Sequence, residues 1–128
     1  MILDTSAILA VFFREPERDD FLSRIGAAPV VGVGAPTLAE TAIVLAARLG
    51  AAAPRQLAQI VERASLVVVS FEAAHWQTAG EAWLRFGGGR HPAALNFGDC
   101  LAYATAKVAG EPLLCKGGDF AETDLVLA

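Results

Sequence analysis

Charge is scarce in this chain of 128 residues: 19% of them are Asp, Glu, Lys or Arg, while 55% are hydrophobic and the mean hydropathy is +0.48. Long apolar runs are also missing. Stretches such as Ala7–Phe13 fall well short of the ~18 residues needed to span a bilayer. That excludes a membrane helix as the use of so much apolar surface. It implies instead a sheet buried on both faces, a subunit interface, or both. Cysteine is limited to Cys100 and Cys115, which form no C-x-x-C pair and have no flanking histidine at metal-ligand spacing. A disulfide scaffold and a zinc thiolate site are unsupported, and reduced thiols in a cytoplasmic protein are expected. The start, Met-Ile-Leu-Asp, has an acid at position 4 and no basic leader, which argues against a signal peptide. Positive charge is short too: 10 Lys and Arg against 14 Asp and Glu leave a net charge of −4. Over the whole chain, that opposes nucleic-acid binding unless bound cations alter the local charge.

What is present is alternation. Met1–Asp4, Pro29–Gly34, Leu66–Ser70 and Pro112–Cys115 read as short strands, the third as a good buried one because of its β-branched run. Between them lie helical stretches: Thr5–Phe13, Pro16–Gly26, Pro36–Leu49 with Gly50 as C-cap, Pro54–Ala64, Glu72–Phe86 and Gly98–Ala109 with Gly110 as its stop. Asp124–Ala128 reads as a last short strand and 87–95 as a loop. No repeat, low-complexity tract or linker interrupts the pattern, so residues 1–128 are expected to form a single α/β domain. Strand–helix alternation implies a parallel sheet with helices on both faces, whose ligands bind beyond the carboxyl ends of the strands.

Four acids fall where that layout can bring them together. Asp4 ends the first strand and Asp119 lies just past the strand Pro112–Cys115. Glu40 and Asp99 are each expected in the first turn of a helix, and each heads an apolar face: Ile43, Val44 and Ala47 follow Glu40, while Ala102, Tyr103 and Ala106 follow Asp99. Each acid also has a purely structural use. Asp4 can cap the helix from Thr5, Thr37–Glu40 fits a capping box, Asn96 can cap the next helix with Asp99 at its third position favoured by the helix dipole, and Asp119 can be a turn residue. Four carboxylates in one cleft repel one another and call for protons or a cation. Oxygen donors of this kind suit Mg²⁺, with Mn²⁺ as the other candidate.

The segments Met1–Glu17, Pro36–Gly50, Leu95–Lys107 and Pro112–Phe120, in that order, resemble a PIN-domain ribonuclease, and more closely a VapC-type toxin of bacterial toxin–antitoxin modules. The resemblance spans Asp4 to Asp119. It implies a PIN-like fold with a parallel sheet of four to five strands. It also implies an Mg²⁺- or Mn²⁺-dependent endoribonuclease that hydrolyses RNA phosphodiester bonds. By position, Asp4, Glu40 and Asp99 match the three best-defined metal-binding acids of that family and Asp119 the usual fourth, with Asp124 a weaker claimant. Ser6 matches the small hydroxyl residue that supports the first Asp. A homodimer and a cognate VapB-type antitoxin are implied as partners, the antitoxin inserting a segment into the acidic cleft.

Beside the acids, Arg85, Arg90, His91 and Lys116 are candidate contacts for RNA phosphates, against the plainer reading of solvated loop charges. His75 has no acidic partner at ligand spacing and is expected to be structural. Trp76 and Trp83 are expected to serve as core or interface. A second reading is a PIN-fold module that binds RNA or a protein without cutting. A third, a receiver-like phospho-acceptor domain, is disfavoured because Leu66–Ser70 ends in Ser and Pro29–Gly34 holds no acid.

Overall fold

The computed structural model describes all of residues 1–128. Four short strands form one parallel sheet: β1 (Ile2–Leu3), β2 (Gly32–Gly34), β3 (Val67–Val69) and β4 (Leu113–Leu114), in the order β3-β2-β1-β4. The helices are α1 (Thr5–Phe12), α2 (Arg18–Ala27), α3 (Ala35–Leu49), α4 (Ala53–Arg63), α5 (Ala73–Phe86) and α6 (Phe97–Ala109), followed by a 3₁₀ turn at Asp119–Glu122. No helix is long and apolar enough to cross a membrane.

Side chains alternate along each strand, so successive residues feed opposite cores. Ile2 and Leu113, paired in register, face the core made with α5 and α6, where Phe86, Leu95 and Tyr103 pack. Leu3, Val33 and Leu114 face the other core with Ala7, Ile8, Phe21, Leu45 and Leu57 from α1 to α4. Both faces are therefore covered, which accounts for the high hydropathy. At Gly34 an added Cβ would stand 2.7 Å from Thr105 Oγ1, so the glycine lets α6 ride directly on β2.

Two segments depart from the sequence reading, and a third, read as core or interface, is only partly core. Leu66–Ser70 is not a buried strand. As β3 it is the outer strand of the sheet, with Val67 and Val68 48% and 49% exposed. β-branched residues satisfy an edge as well as an interior, so composition could not separate the two. Asp124–Ala128 makes only a bridge from Leu127 to Leu113, with hydrogen bonds Leu113 N to Val126 O and Ala128 N to Leu113 O. In the Trp76–Phe86 stripe, Ala79 and Phe86 are buried, but Trp76 and Trp83 stand out of the core.

Candidate active site

The carboxyl ends of β1 and β4 deliver the first group of residues. Asp4 follows β1 directly and is only 6% exposed. Its carboxylate caps α1, with Oδ2 accepting from Ser6 N at 3.0 Å and from Ser6 Oγ at 2.5 Å. The same Ser6 oxygen accepts the Lys116 N–H at 2.9 Å. One hydroxyl thus ties Asp4 to the segment leaving β4, while no donor of the chain is bonded to Asp4 Oδ1. Past Lys116 come Gly117, in the left-handed region at φ 92°, Gly118, and Asp119 at the head of the 3₁₀ turn.

Glu40 is not in the first turn of its helix. α3 begins at Ala35, one residue before Pro36, which puts Glu40 in the second turn and Thr37 inside the helix rather than at its cap. No capping pair forms there. Instead Thr37, Thr41 and Thr5 make a buried set behind the acids: Thr41 Oγ1 donates to Thr37 O at 2.8 Å and approaches Thr5 Oγ1 at 3.4 Å. The carboxylate of Glu40 reaches across to the first turn of α6. An added Cβ on Gly98 would meet its Oε2 at 2.5 Å and Oε1 at 2.9 Å.

Asp99 does serve as a cap. Asn96 N donates to Asp99 Oδ2 at 2.9 Å, and Asp99 N donates to Asn96 Oδ1 at the same distance. The structural use expected of Asn96 as a cap is thus realised, with Asp99 closing the pair. Burial pushes the Asp99 carboxyl up, the Asn96 N–H opposes this, and the charges of Asp4 and Asp119 raise it further. Desolvation, then the charges of Asp4 and Asp99, push Glu40 up too, with Thr5 working against them. Cys115, at the end of β4, is raised to about 11 by burial and then by Asp4, Asp119 and Asp99. The four acids thus share one electrostatic neighbourhood. As the side chains stand, however, no three acids, cysteines or histidines are close enough to hold one ion together.

The PIN domain family profile matches residues 1–125. The chain is 41% identical over 125 residues to "Ribonuclease VapC" of Mycolicibacterium smegmatis, covering 98% of this chain and 97% of the relative. It is 44% identical over 126 residues to "Ribonuclease VapC36" of Mycobacterium tuberculosis, covering 98% and 91%. Among solved structures, VapC20 of Mycobacterium tuberculosis, described as a sarcin-ricin loop cleaving toxin, superposes with a TM-score of 0.79 at 24% identity, covering 99% of this chain and 97% of that one. The chain belongs to the PIN domain family, among the VapC ribonucleases.

The candidate basic residues of this VapC-family chain, Arg85, Arg90, His91 and Lys116, each have a partner within the fold. Arg85 donates from Nη1 and Nη2 to Asp124 Oδ2, both at 3.3 Å, and lies 4.6 Å over the Phe86 ring. Arg90 lies 4.4 Å over the Trp83 ring. His91 Nδ1 accepts the Ala93 N–H at 3.1 Å, and its ring meets Phe86 edge-on. Lys116 Nζ pairs with Glu15 at 2.6 Å and Glu17 at 3.3 Å. His75 is structural as expected, its Nδ1 accepting the Glu72 N–H at 3.1 Å. Asp124 is held by Tyr103, Lys107 and Arg85. Sequence reasoning missed Gly98, whose signal was a glycine inside a helix with no turn to make. It also missed Cys115, whose signal was its place at the carboxyl end of a strand, four residues before Asp119.

Proposed function

We propose that this VapC-family chain is the endoribonuclease toxin of a toxin–antitoxin pair and cuts RNA with a divalent cation held by Asp4, Glu40, Asp99 and Asp119. The observation that carries the reading is electrostatic: the carboxyls of Glu40 and Asp99 are both raised in part by the charges of their acidic neighbours. Such a set is relieved by positive charge, and its donors are all carboxylate oxygens, which fits Mg²⁺ or Mn²⁺. Closing the set around an ion needs a side-chain turn at Asp99, now spent on Asn96. When bound, the ion supplies charge neutralisation at the phosphate and a lowered pKa for water. Ser6 holds Asp4 through Oδ2, which leaves Oδ1 without a donor in the chain and available to an ion. Glu40 orients the attacking water and accepts its proton at a carboxylate oxygen, while Asp119 completes the acidic wall. Two free cysteines suit a cytoplasmic site of action, where RNA is plentiful.

Two surfaces fit the partners. An apolar groove of about 360 Å³ runs between α1, α2 and α4, lined by Val11, Phe12, Leu22, Ile25, Leu57 and Ile60. It suits an apolar segment of a VapB-type antitoxin. A second apolar surface joins Trp76, Trp83, Phe97 and Leu101 to Ile43, with Phe97 79% and Ile43 69% exposed. So much exposed aromatic surface suits a homodimer contact.

The test is cleavage of a mixed RNA pool by partner-free protein with Mg²⁺ or Mn²⁺, with EDTA, and with Asp4→Asn and Asp99→Asn alongside. Cutting that needs metal and disappears in both folded variants supports the reading. An inert parent that still binds RNA or an antitoxin would favour a non-cleaving binding module.

A further inference from the structure

Gly98 occupies the second position of α6, with a backbone conformation open to any residue. Glycine there weakens the helix relative to alanine. The three atoms nearest to an added Cβ all belong to one side chain: Glu40 Oε2 at 2.5 Å, Oε1 at 2.9 Å and Cδ at 3.0 Å. No main-chain atom comes as near. The missing side chain therefore makes room for a carboxylate and serves no turn. That carboxylate comes from another helix, α3, and lies beside the first turn of α6, where amide N–H groups lack helical partners. The next residue along is Asp99. The notch at position 98 consequently sets how closely Glu40 can approach Asp99.

We infer that Gly98 is a positioning residue of the acidic site: its notch seats the Glu40 carboxylate against the first turn of α6, next to Asp99, in the place from which both serve a divalent cation. The inference rests on the reading of Glu40 and Asp99 as ion-binding acids. An alanine at 98 must push the carboxylate away, because the helix backbone beneath is fixed by its own hydrogen bonds and the end of a glutamate is free to swing. A loss of function that accompanies a gain of helix propensity is not what a merely structural glycine would give.

The experiment is a double-mutant cycle of Gly98→Ala and Glu40→Asp, read by Mn²⁺ titration in a calorimeter, by RNA cleavage, by thermal melting and by ion-free crystal structures. Gly98→Ala is expected to melt no lower than the parent and to bind Mn²⁺ about tenfold or more weakly, as for loss of groups that orient metal ligands. Its kcat is expected to fall by a similar factor while KM for RNA moves by about twofold at most. In the Glu40→Asp background the same substitution is expected to cost much less, since the shorter side chain leaves the notch clear. The inference is overturned by equal costs in both backgrounds, by unchanged Mn²⁺ affinity, or by an ion-free Gly98→Ala structure with the carboxylate unmoved. A parent that neither binds Mn²⁺ nor cuts RNA would sink the nuclease reading, and the notch itself would still be judged by that ion-free structure.

Discussion

Tyr103 donates its hydroxyl proton to Asp124 Oδ1 across 2.6 Å, while Lys107 at 3.0 Å and Arg85 at 3.3 Å close on Oδ2 of the same carboxylate. The Tyr103 bond comes first in holding the Asp124 carboxyl down at about 2, with the two cations adding to it. Glu40 and Asp99 move in the opposite direction, raised first by burial and further by the charges of neighbouring carboxylates. Of two late acids five residues apart, Asp124 is clasped by Tyr103, Lys107 and Arg85, while the charge of Asp119 acts on Asp99.

The Asp124 clasp is expected to stabilise the fold and to leave the chemistry alone. Its pKa is lower folded than unfolded. Its contribution is therefore fully present above the ordinary carboxylate range near 4 and is lost as pH falls through about 2. The full shift would be worth roughly 2 kcal/mol. With the side chain 37% exposed, screening leaves about 1 kcal/mol. Asp124→Asn is expected to lose that much in denaturant melts at pH 7 and much less at pH 2, with metal-dependent cleavage retained. Loss of cleavage in a folded Asp124→Asn variant would move Asp124 into the site.

Asp99→Asn is expected to do the reverse. An asparagine oxygen can still accept the Asn96 N–H, so the cap survives, while the repulsion from Asp4 and Asp119 disappears. The Asp99 carboxyl is raised in the folded state, so that state holds the proton more tightly than the unfolded chain. Stability therefore falls as pH rises from the ordinary carboxylate range through the folded value, and the penalty is complete above that value. The variant is expected to melt a few degrees above the parent at pH 7, with the gap closing towards pH 4. Mg²⁺ is expected to raise the melting point of the parent more than that of the variant. Equal melting of the two at pH 7 without metal would mean that Asp99 feels no net repulsion.

Much of this architecture could be read from the sequence, and the failures have physical causes. Hydrophobic period and Gly or Pro punctuation located all six helices to within about two residues. Strand ends located Asp4 and the segment carrying Asp119. Burial of β3 could not be read, because sheet order is fixed by long-range packing that a run of valines does not encode. The turn occupied by Glu40 was missed because Pro36 is favoured at the start of a helix and the extra residue before it, Ala35, carries no signal. The intramolecular partners of Arg85, Arg90, His91 and Lys116 lie 1 to 101 residues away, from Phe86 to Glu15, and only the fold brings the distant ones close.

Ser6→Ala tests the support of Asp4. The substitution removes two hydrogen bonds at once: the one given to Asp4 Oδ2 and the one accepted from Lys116 N. Loss of stability by about 1–2 kcal/mol is expected from partly buried bonds of this kind. The larger effect is expected on cleavage, a drop of about 10- to 100-fold, because Asp4 is freed to turn and the segment before Asp119 loses its tie to α1. Denaturant melts and initial cleavage rates on one RNA separate the two. A variant as active as the parent would show that Asp4 is held well enough by the Ser6 backbone N–H alone.

The groove between α1, α2 and α4 offers a test that spares the acids. Leu22 and Ile60 line it at 38% and 42% exposure, so a charge placed there meets solvent and costs the fold little. Arg18 lines the same groove, and its Nε is closed off from solvent without an acceptor, although Nη1 pairs with Asp19. A buried N–H donor without an acceptor is costly, and a carboxylate on the incoming segment would satisfy it. Leu22→Glu and Ile60→Glu are each expected to weaken antitoxin binding at least thirtyfold, the order of loss at a buried apolar anchor, while free-toxin cleavage stays within about twofold. Arg18→Met is expected to weaken binding less and to flatten its salt dependence, since one charge pair is removed and the apolar contacts remain. Calorimetric titration of each variant with the antitoxin at low and high salt measures both effects. Full-strength binding by Leu22→Glu and Ile60→Glu would place the antitoxin on another face, leaving the exposed aromatic surface around Phe97 as the next one to probe.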